Sequence, residues 1–374
     1  MPRSWRRYLL LLLALVALGY FIYKFRNSIA LEGFRWSMVG QSLREARLPL
    51  LLLSIVAIYG CYALRAVRWM RFCRSLGPTH FSSVYRATLM GFACMFLLGR
   101  AGEPIRPVLI AKKESLSIPG MFGVYVLERV ADMASSAVIA VAALLVFQRR
   151  GLKIGDDPVM KVARSAGAVL FGFLVVVIAF LIYFRYHGGQ WLAERLRNPE
   201  WRSGWRARIA LLLEGFSEGL QGIRTWGDLG VLTAYSAAHW VLVIFIYLWV
   251  AHAFGGALGD LDFGGAMLVL AFTLVGSAVQ LPGVGGGAQL ATFLVLTLIV
   301  GVQKEPAATV SIILWLITFA GVCLAGLPLL FAEGWSMGEL KQMASAGEHE
   351  ARAEEAGELE RLSHSVESAE KKPQ

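Results

Sequence analysis

Nine long apolar blocks, separated by short basic or glycine-rich segments, take up most of this chain. They lie at 8–23, 48–64, 84–99, 122–147, 167–184, 229–254, 266–282, 288–302 and 308–331. Several approach or exceed the roughly 20 residues that a helix needs to cross about 30 Å of hydrocarbon. Because lipid offers no partners for backbone N–H and C=O groups, such segments have to be helical. The sequence therefore predicts an all-α, polytopic transmembrane helical bundle.

The composition fits a membrane protein and argues against a soluble enzyme. Of the 374 residues, 57% are hydrophobic and 17% are charged, whereas soluble domains are about one quarter charged. The net charge of +10 would suggest nucleic acid in a soluble protein. Here the basic residues lie in short runs beside apolar blocks, as in Arg65, Arg68, Arg71 and Arg74. This pattern indicates positive-inside topology and attraction to anionic lipid headgroups, so we expect no nucleic-acid partner.

The cysteines and histidines predict no metal site, disulfide framework or cofactor. The four cysteines form no C-x-x-C pair, and the six histidines show no ligand spacing. His239 lies inside the block 229–254, where we expect it to make a helix–helix hydrogen bond.

The first apolar block is predicted to be an uncleaved transmembrane helix. Arginines precede it, and bulky Tyr20, Phe21 and Tyr23 stand where a signal-peptide cleavage site would need small residues. Since the N-terminus carries only positive charge, we place it in the cytoplasm. Counting the crossings that follow places the C-terminus there as well.

We divide the chain into a transmembrane domain over 1–335 and a polar tail over 336–374. Within the first, the basic segment at about 185–228 repeats apolar residues at helical spacing. This spacing predicts an amphipathic helix at the cytoplasmic surface of the membrane, or alternatively a helix packed on the bundle. The tail is rich in glutamate, and we expect it to be disordered.

Two apolar blocks end in dense glycine and proline, at 99–107 and 282–287. Irregular backbone at membrane depth survives only where protein shields it or a cavity adjoins it. One interrupted segment in each half of a chain points to a transporter's binding site. We predict two re-entrant hairpins that enter from opposite faces as an inverted repeat. This places the basic loop 148–166 outside, so a plain eight- or nine-helix arrangement is the alternative.

Arg100, Glu103 and Arg106 lie in the first break at intervals of three residues. A helical turn would bring them to one side. Charges at membrane depth are costly and by default indicate function, and the planar guanidinium group suits phosphate oxygens. We predict that the arginines bind a phosphate and that Glu103 holds them apart until it arrives. A salt bridge that fixes the hairpin is the alternative.

Glu128, Arg129 and Asp132 form a second charged group, near the start of the block 122–147. Glu128 and Asp132 are four residues apart and share a helix face, and Arg129 reaches Asp132 from three residues away. We expect these side chains to face the bundle interior, as substrate-binding residues. An internal ion pair that locks two helices is the alternative.

The second break contains Pro282, Gly283, Gly285, Gly286 and Gly287. Exposed backbone N–H groups at a broken helix bind anions, so we predict a hinge or a backbone anion site here. No G-K-[ST] follows the run, which argues against a nucleotide-binding loop. A flexible break that allows close helix packing is the alternative.

Three short segments carry a combination of residues that is specific when taken together. They are Gly99–Arg106 (G-R-A-G-E-P-I-R), Leu127–Asp132 (L-E-R-V-A-D) and Leu281–Gly286 (L-P-G-V-G-G). Together they resemble the lysylphosphatidylglycerol synthase transmembrane-region family, the membrane domain also found in the multiple peptide resistance factor. The resemblance spans roughly residues 5–335. It implies a lipid-translocating bundle in a bacterial inner membrane, with the six charged residues above as its substrate-binding candidates.

The two-domain relatives in this family carry out aminoacyl transfer in a separate soluble domain. Here only a short charged tail follows Phe331, so we expect neither a transferase domain nor enzymatic activity. The resemblance implies a flippase or transporter of anionic phospholipids or polyprenyl-phosphate-linked lipids. Two alternatives stay open. One is a membrane partner subunit of a separate lipid synthase or glycosyltransferase, and the other is a lipid-headgroup transferase.

Overall fold

The computed structural model describes residues 36–149, 225–277, 280–281 and 285–334, together with a few isolated positions. The apolar block 8–23, nearly all of 148–228 and the tail 336–374 fall outside these residues. The predicted first helix, the amphipathic segment, the domain boundary and the disordered tail therefore stay predictions.

The described part of the chain is almost entirely helical. Its helices are α1 (Trp36–Glu45), α2 (Leu48–Phe72), α3 (Phe81–Leu98), α4 (Ile105–Glu114), α5 (Ile118–Arg149), α6 (Trp226–Ala253), α7 (Gly256–Gly259), α8 (Phe263–Gly276), α9 (Gly287–Leu298), α10 (Lys304–Trp315) and α11 (Cys323–Ala332). Short 3₁₀ turns cover Cys73–Ser75 and Gly99–Gly102, and a π-helical turn covers Leu316–Ala320. Two strands of two residues each, β1 (Gln280–Leu281) and β2 (Gly285–Gly286), form an antiparallel pair.

Four helical stretches are long and apolar enough to cross a bilayer. They are Leu48–Ser75, Phe81–Leu98, Trp226–Ala253 and Lys304–Ala332, the last of which runs through α10, the π-helical turn and α11. Apolar side chains such as Val56, Leu298 and Leu324 point outward and are 70 to 76% exposed. An outward apolar surface suits lipid and not water. The predicted polytopic helical bundle is confirmed.

The first glycine and proline break is the tip of a helical hairpin, which we call hairpin 1 (α3, the Gly99–Gly102 turn and α4). At its open end, the His80 backbone N–H donates to Glu114 Oε2 at 3.2 Å, so the chain returns to the point where it started. Near the tip, a Cβ built on Gly102 would lie 2.5 Å from the carbonyl oxygen of Cys94. Only glycine allows this close approach of the two arms.

The second break is the tip of hairpin 2 (α8, β1, β2 and α9). Its arms touch at Thr273 and Thr292, whose hydroxyl oxygens are 2.6 Å apart. A Cβ on Gly276 would lie 2.3 Å from the carbonyl oxygen of Gly287, so these arms too are in backbone contact. In β1 and β2, Gln280 pairs with Gly286 across the tip.

The two hairpins meet at their tips, because β1 lies against the Gly99–Gly102 turn. The arms of hairpin 2 have 14 and 12 residues, so at about 1.5 Å per residue each is roughly 20 Å long. This is less than the roughly 30 Å of a hydrocarbon core. Both breaks are thus tips of helical hairpins, whereas the re-entrant topology and the inverted repeat stay predictions.

Candidate functional site

Six charged side chains from three helices meet inside the bundle, and we call them the charge cluster. They are Arg65 and Arg68 of α2, Arg106 of α4, and Glu128, Arg129 and Asp132 of α5. Four guanidinium groups thus face two carboxylates. Desolvated ions cost several kcal/mol each unless they are paired, so the pairing decides what this cluster is able to do.

Glu128 is the centre of the charge cluster, and its side chain is 0% exposed. Its Oε1 accepts hydrogen bonds from Arg65 at 3.0 Å and from Arg68 at 3.1 Å. Its Oε2 accepts from Arg106 and, at 3.3 Å, from Arg129. One carboxylate therefore contacts all four guanidinium groups.

Asp132 lies one helical turn further along α5 and binds three of the same arginines. Its oxygens are 2.7 Å from Arg68 Nη2, 3.0 Å from Arg65 Nη1 and 3.4 Å from Arg129 Nη2. Arg68 also donates from Nη1 to Ser236 Oγ of α6 at 3.0 Å. The cluster therefore links α2, α4, α5 and α6.

Arg106 lies between aromatic rings as well as against Glu128. Its guanidinium carbon is 4.5 Å from the ring centre of Trp69 and 5.2 Å from that of Phe92, within the range of cation–π attraction. A Cβ on Gly91 would lie 2.5 Å from the Cβ of Arg106, so glycine is required for α4 to approach α3 here. These contacts hold Arg106 between α2, α3 and α5.

The charge cluster opens into a narrow cleft. The cleft is lined by Gly91, Phe92, Met95, Glu103, Arg106, Tyr125 and Arg129. Tyr125 donates its hydroxyl to Glu103 Oε2 at 2.5 Å, and Arg129 Nη1 is 3.8 Å from the same oxygen. The Arg129 side chain is 35% exposed, compared with 5% for Arg106. Arg129 is thus the more accessible of the two cleft arginines.

The structure separates residues that sequence spacing placed together. Glu103 and Arg106 do not share a helical turn, because Glu103 precedes Pro104 and α4 begins only at Ile105. Arg106 pairs with Glu128, and Glu103 faces Arg129. The prediction that Glu103 holds Arg106 is therefore wrong. Arg100 lies in the Gly99–Gly102 turn, and its side chain is outside the described residues.

Glu128, Arg129 and Asp132 face the bundle interior as predicted, and Arg129 does reach Asp132. The sequence interpretation missed Arg65 and Arg68, which it assigned to membrane topology. The two are three residues apart on the face of α2 that also buries Cys61, and that spacing was the available signal.

At the second break, the described residues test only part of the predicted anion site. The Gly286 N–H donates to Gln289 Oε1 at 2.5 Å, so this donor already has a partner. Gly285 pairs with Leu281, and Gly287 begins α9. Pro282 and Gly283 lie outside the described residues. The hinge and the anion site at this tip stay predictions.

His239 is buried in α6 beside the charge cluster. Its backbone carbonyl accepts a hydrogen bond from the Cys61 thiol at 3.9 Å, whereas its ring Nδ1 has no partner. The His239 side chain also has a hydrogen bond with the backbone of Cys61 on α2, so the predicted helix–helix hydrogen bond is present. Within the described ranges, no three His, Cys, Asp or Glu side chains are placed to hold a metal ion.

A bundle with helices of membrane-spanning length and an arginine-rich charge cluster in its interior defines an integral membrane protein. Its family follows from comparison with known families. The family model described as the lysylphosphatidylglycerol synthase TM region matches residues 8–326, and the chain belongs to this family. No curated protein matches the chain. The membership gives the chain a lipid-related role in the membrane, as the sequence motifs indicate.

Proposed function

We propose that this protein is a lipid flippase or lipid transporter that binds anionic headgroups, either of phospholipids or of polyprenyl-phosphate-linked lipids. The observation that carries the proposal is the cleft where the guanidinium groups of Arg106 and Arg129 meet within a membrane bundle. It acts on lipid without chemical conversion, as a multi-pass protein of the inner membrane with both termini in the cytoplasm.

The charge balance of the site favours an anion. The charge cluster contains four guanidinium groups and two carboxylates, and Glu103 at its edge supplies a third carboxylate. One formal positive charge is left over. A phosphate diester carries one negative charge, so it would neutralise the site where a cation would add to the imbalance.

Arg129 is the residue that we expect to bind the phosphate. Its contacts with carboxylates are long, at 3.3 to 3.8 Å, and a third of its side chain faces the cleft. A planar guanidinium group donates to two phosphate oxygens at once. Arg106 lies deeper, where Glu128 and the rings of Trp69 and Phe92 hold it. We therefore expect Arg106 to contribute positive potential to the cleft without changing position.

The composition of the cleft favours a headgroup over an acyl or prenyl chain. Its lining carries the charged side chains of Arg106, Arg129 and Glu103, which are costly to bring against hydrocarbon. The acyl or prenyl chains would stay in the bilayer beside the bundle. In α2, Arg65 and Arg68 lie seven and four residues before Phe72, which at about 1.5 Å per residue puts the cluster roughly 6–10 Å from that helix end. A charged site inside the bundle suits the passage of a headgroup between leaflets.

The test is lipid translocation in proteoliposomes that contain the purified chain and fluorescent phosphatidylglycerol, phosphatidylethanolamine or a polyprenyl phosphate. Wild type is compared with Arg129→Gln at matched insertion. Loss of a charge-assisted hydrogen bond of about 1.5–3 kcal/mol should slow translocation by roughly tenfold or more. Arg86→Gln is the matched control, because Arg86 pairs with Glu333 at the open end of hairpin 1, away from the cleft.

Translocation by wild type and Arg86→Gln that Arg129→Gln loses would support the proposal. No movement of any lipid in the panel, or equal rates in all three proteins, would contradict it. In the first case the interpretation as a partner subunit of a lipid-modifying enzyme would gain weight.

A further inference from the structure

The helical stretch from Lys304 to Ala332 contains one turn of a different geometry. Residues Leu316–Ala320 form a π-helical turn, closed by the Gly321 N–H donating to the Leu316 carbonyl at 2.6 Å, five residues back. Single π-helical turns inside α-helices are rare, often lie at functional sites and are a recognised cause of kinks. The turn therefore marks the point at which α10 and α11 are able to change direction.

Two tyrosines of α2 hold this turn from outside. Tyr62 donates its hydroxyl to the Thr318 carbonyl at 3.1 Å, and Tyr59 donates to the Gly321 carbonyl at 2.9 Å. Both tyrosines lie on one face of α2, three residues apart. Hydrogen bonds from a neighbouring helix thus fasten two carbonyl groups at the irregular segment.

The turn also lies between two segments that pack against different hairpins. On one side of it, α10 packs against α9 of hairpin 2. On the other side, α11 packs against α3 of hairpin 1 so closely that a Cβ on Gly326 would lie 2.5 Å from the Leu89 carbonyl oxygen. Glu333, just after α11, adds ion pairs with Lys113 and Arg86 of hairpin 1. Each end of this stretch therefore packs against a different hairpin, and we call α10 with hairpin 2 and α11 with hairpin 1 the two hairpin bodies.

Tyr62 connects the π-helical turn to the cleft described above. The ring of Tyr62 packs against Phe92, with ring centres 5.0 Å apart. Phe92 lines the cleft and faces the guanidinium group of Arg106 at 5.2 Å. A movement at the π-helical turn would therefore be transmitted to the cleft through two aromatic contacts.

We propose that the Leu316–Ala320 turn is a hinge between the two hairpins, and that Tyr59 and Tyr62 hold it in the conformation observed here. The use of the hinge in lipid transport rests on the proposed function, but its existence does not. Releasing the two hydroxyl groups lets the hairpin bodies change their relative position, which opens or closes the cleft from either side.

The experiment uses the full chain in lipid nanodiscs and the double variant Tyr59→Phe/Tyr62→Phe, which keeps both rings and removes both hydroxyl groups. Hydrogen exchange reports the opening of the turn. Spin labels at the exposed positions Leu298 of α9 and Phe331 of α11 report the distance between the hairpin bodies. Tyr247→Phe is the control, because Tyr247 is a buried tyrosine of α6 that bonds Thr273 and not the turn.

We expect amide exchange at residues 316–322 to rise by about tenfold or more in the double variant, as the loss of two hydrogen bonds predicts. The spin-label distances should gain a second population, and Tyr247→Phe should show neither change. Unchanged exchange and distances in the double variant would overturn the hinge, as would equal changes in the control. Neither readout needs translocation, so failure of the transport assay leaves this result interpretable.

Discussion

Arg106 and Glu128 form an ion pair that joins hairpin 1 to α5 where neither side chain reaches solvent, with exposures of 5% and 0%. The pair is one part of a larger arrangement, because Glu128 also contacts the guanidinium groups of Arg65, Arg68 and Arg129. A single carboxylate thus holds together four like charges that would otherwise repel each other. The stability and the chemistry of the site both depend on it.

Replacement of that carboxylate should strongly destabilise the fold. Glu128→Gln keeps the shape of the side chain but leaves four guanidinium groups with only Asp132 and Glu103 as carboxylate partners. Breaking a buried ion pair costs about 3–5 kcal/mol, so we expect a loss of that order in the free energy of unfolding in micelles. Glu45→Gln on the exposed helix α1 should change it by less than about 0.5 kcal/mol. Equal stability of the two variants would show that Glu128 is not the organising group.

Substitutions of Arg106 and Arg129 should differ in their effects on stability and on lipid binding. Arg106→Gln leaves a buried carboxylate short of its partner, so we expect a lower unfolding temperature. Arg129→Gln removes a more exposed side chain with longer contacts, so it should weaken binding of phosphatidylglycerol with a smaller loss of stability. Differential scanning fluorimetry and lipid-binding titrations on both variants give the comparison. If Arg106→Gln weakens binding more and Arg129→Gln lowers stability more, then Arg106 and not Arg129 contacts the headgroup.

Backbone contact at the tip of hairpin 2 predicts an effect of added volume. Gly276→Ala would place a Cβ 2.3 Å from the Gly287 carbonyl oxygen, which should cost about 1–3 kcal/mol or separate the arms. A Cβ added to Gly230 of α6 would have no atom within 4 Å. Gly230→Ala should therefore stabilise the fold by up to about 1 kcal/mol through helix propensity. Equal effects on the unfolding temperature would contradict the close approach of the arms.

The open end of hairpin 1 should respond to acid through Glu114. Burial raises the pKa of Glu114, but hydrogen bonds from Ser83 and His80 outweigh it, so the pKa lies below its ordinary value. A carboxyl group with a lowered pKa in the folded state stabilises the fold at pH values above the ordinary value of about 4.3, and the contribution is lost as pH falls through the lowered value. Wild type should therefore lose its stability advantage over Glu114→Gln as pH falls below the ordinary carboxyl value and through the lowered one. A difference in unfolding temperature that stays constant with pH would argue against this role.

The sequence predicted the class of the molecule and the position of its irregular segments. Apolar blocks of membrane length have few alternatives to helices in lipid, and glycine and proline interrupt helices wherever they cluster. For that reason both hairpin tips lie where the composition changes, at the Gly99–Gly102 turn and at β1 and β2. The interior orientation of Glu128 and Asp132 was predictable on the same grounds, since charges avoid lipid.

The partners of these charges were decided only by the tertiary structure. Arg65 and Arg68 are about 60 residues from the carboxylates that they bind, and a basic run at the end of an apolar helix looks the same whether it faces lipid headgroups or the bundle. Local spacing likewise assigned Glu103 to Arg106, whereas packing of hairpin 1 on α5 gives Arg106 to Glu128. Sequence determined which residues must leave the lipid, because that is a property of each side chain. Which of them meet depends on how whole helices pack, and the helix faces that touch are fixed by the fold of the whole chain.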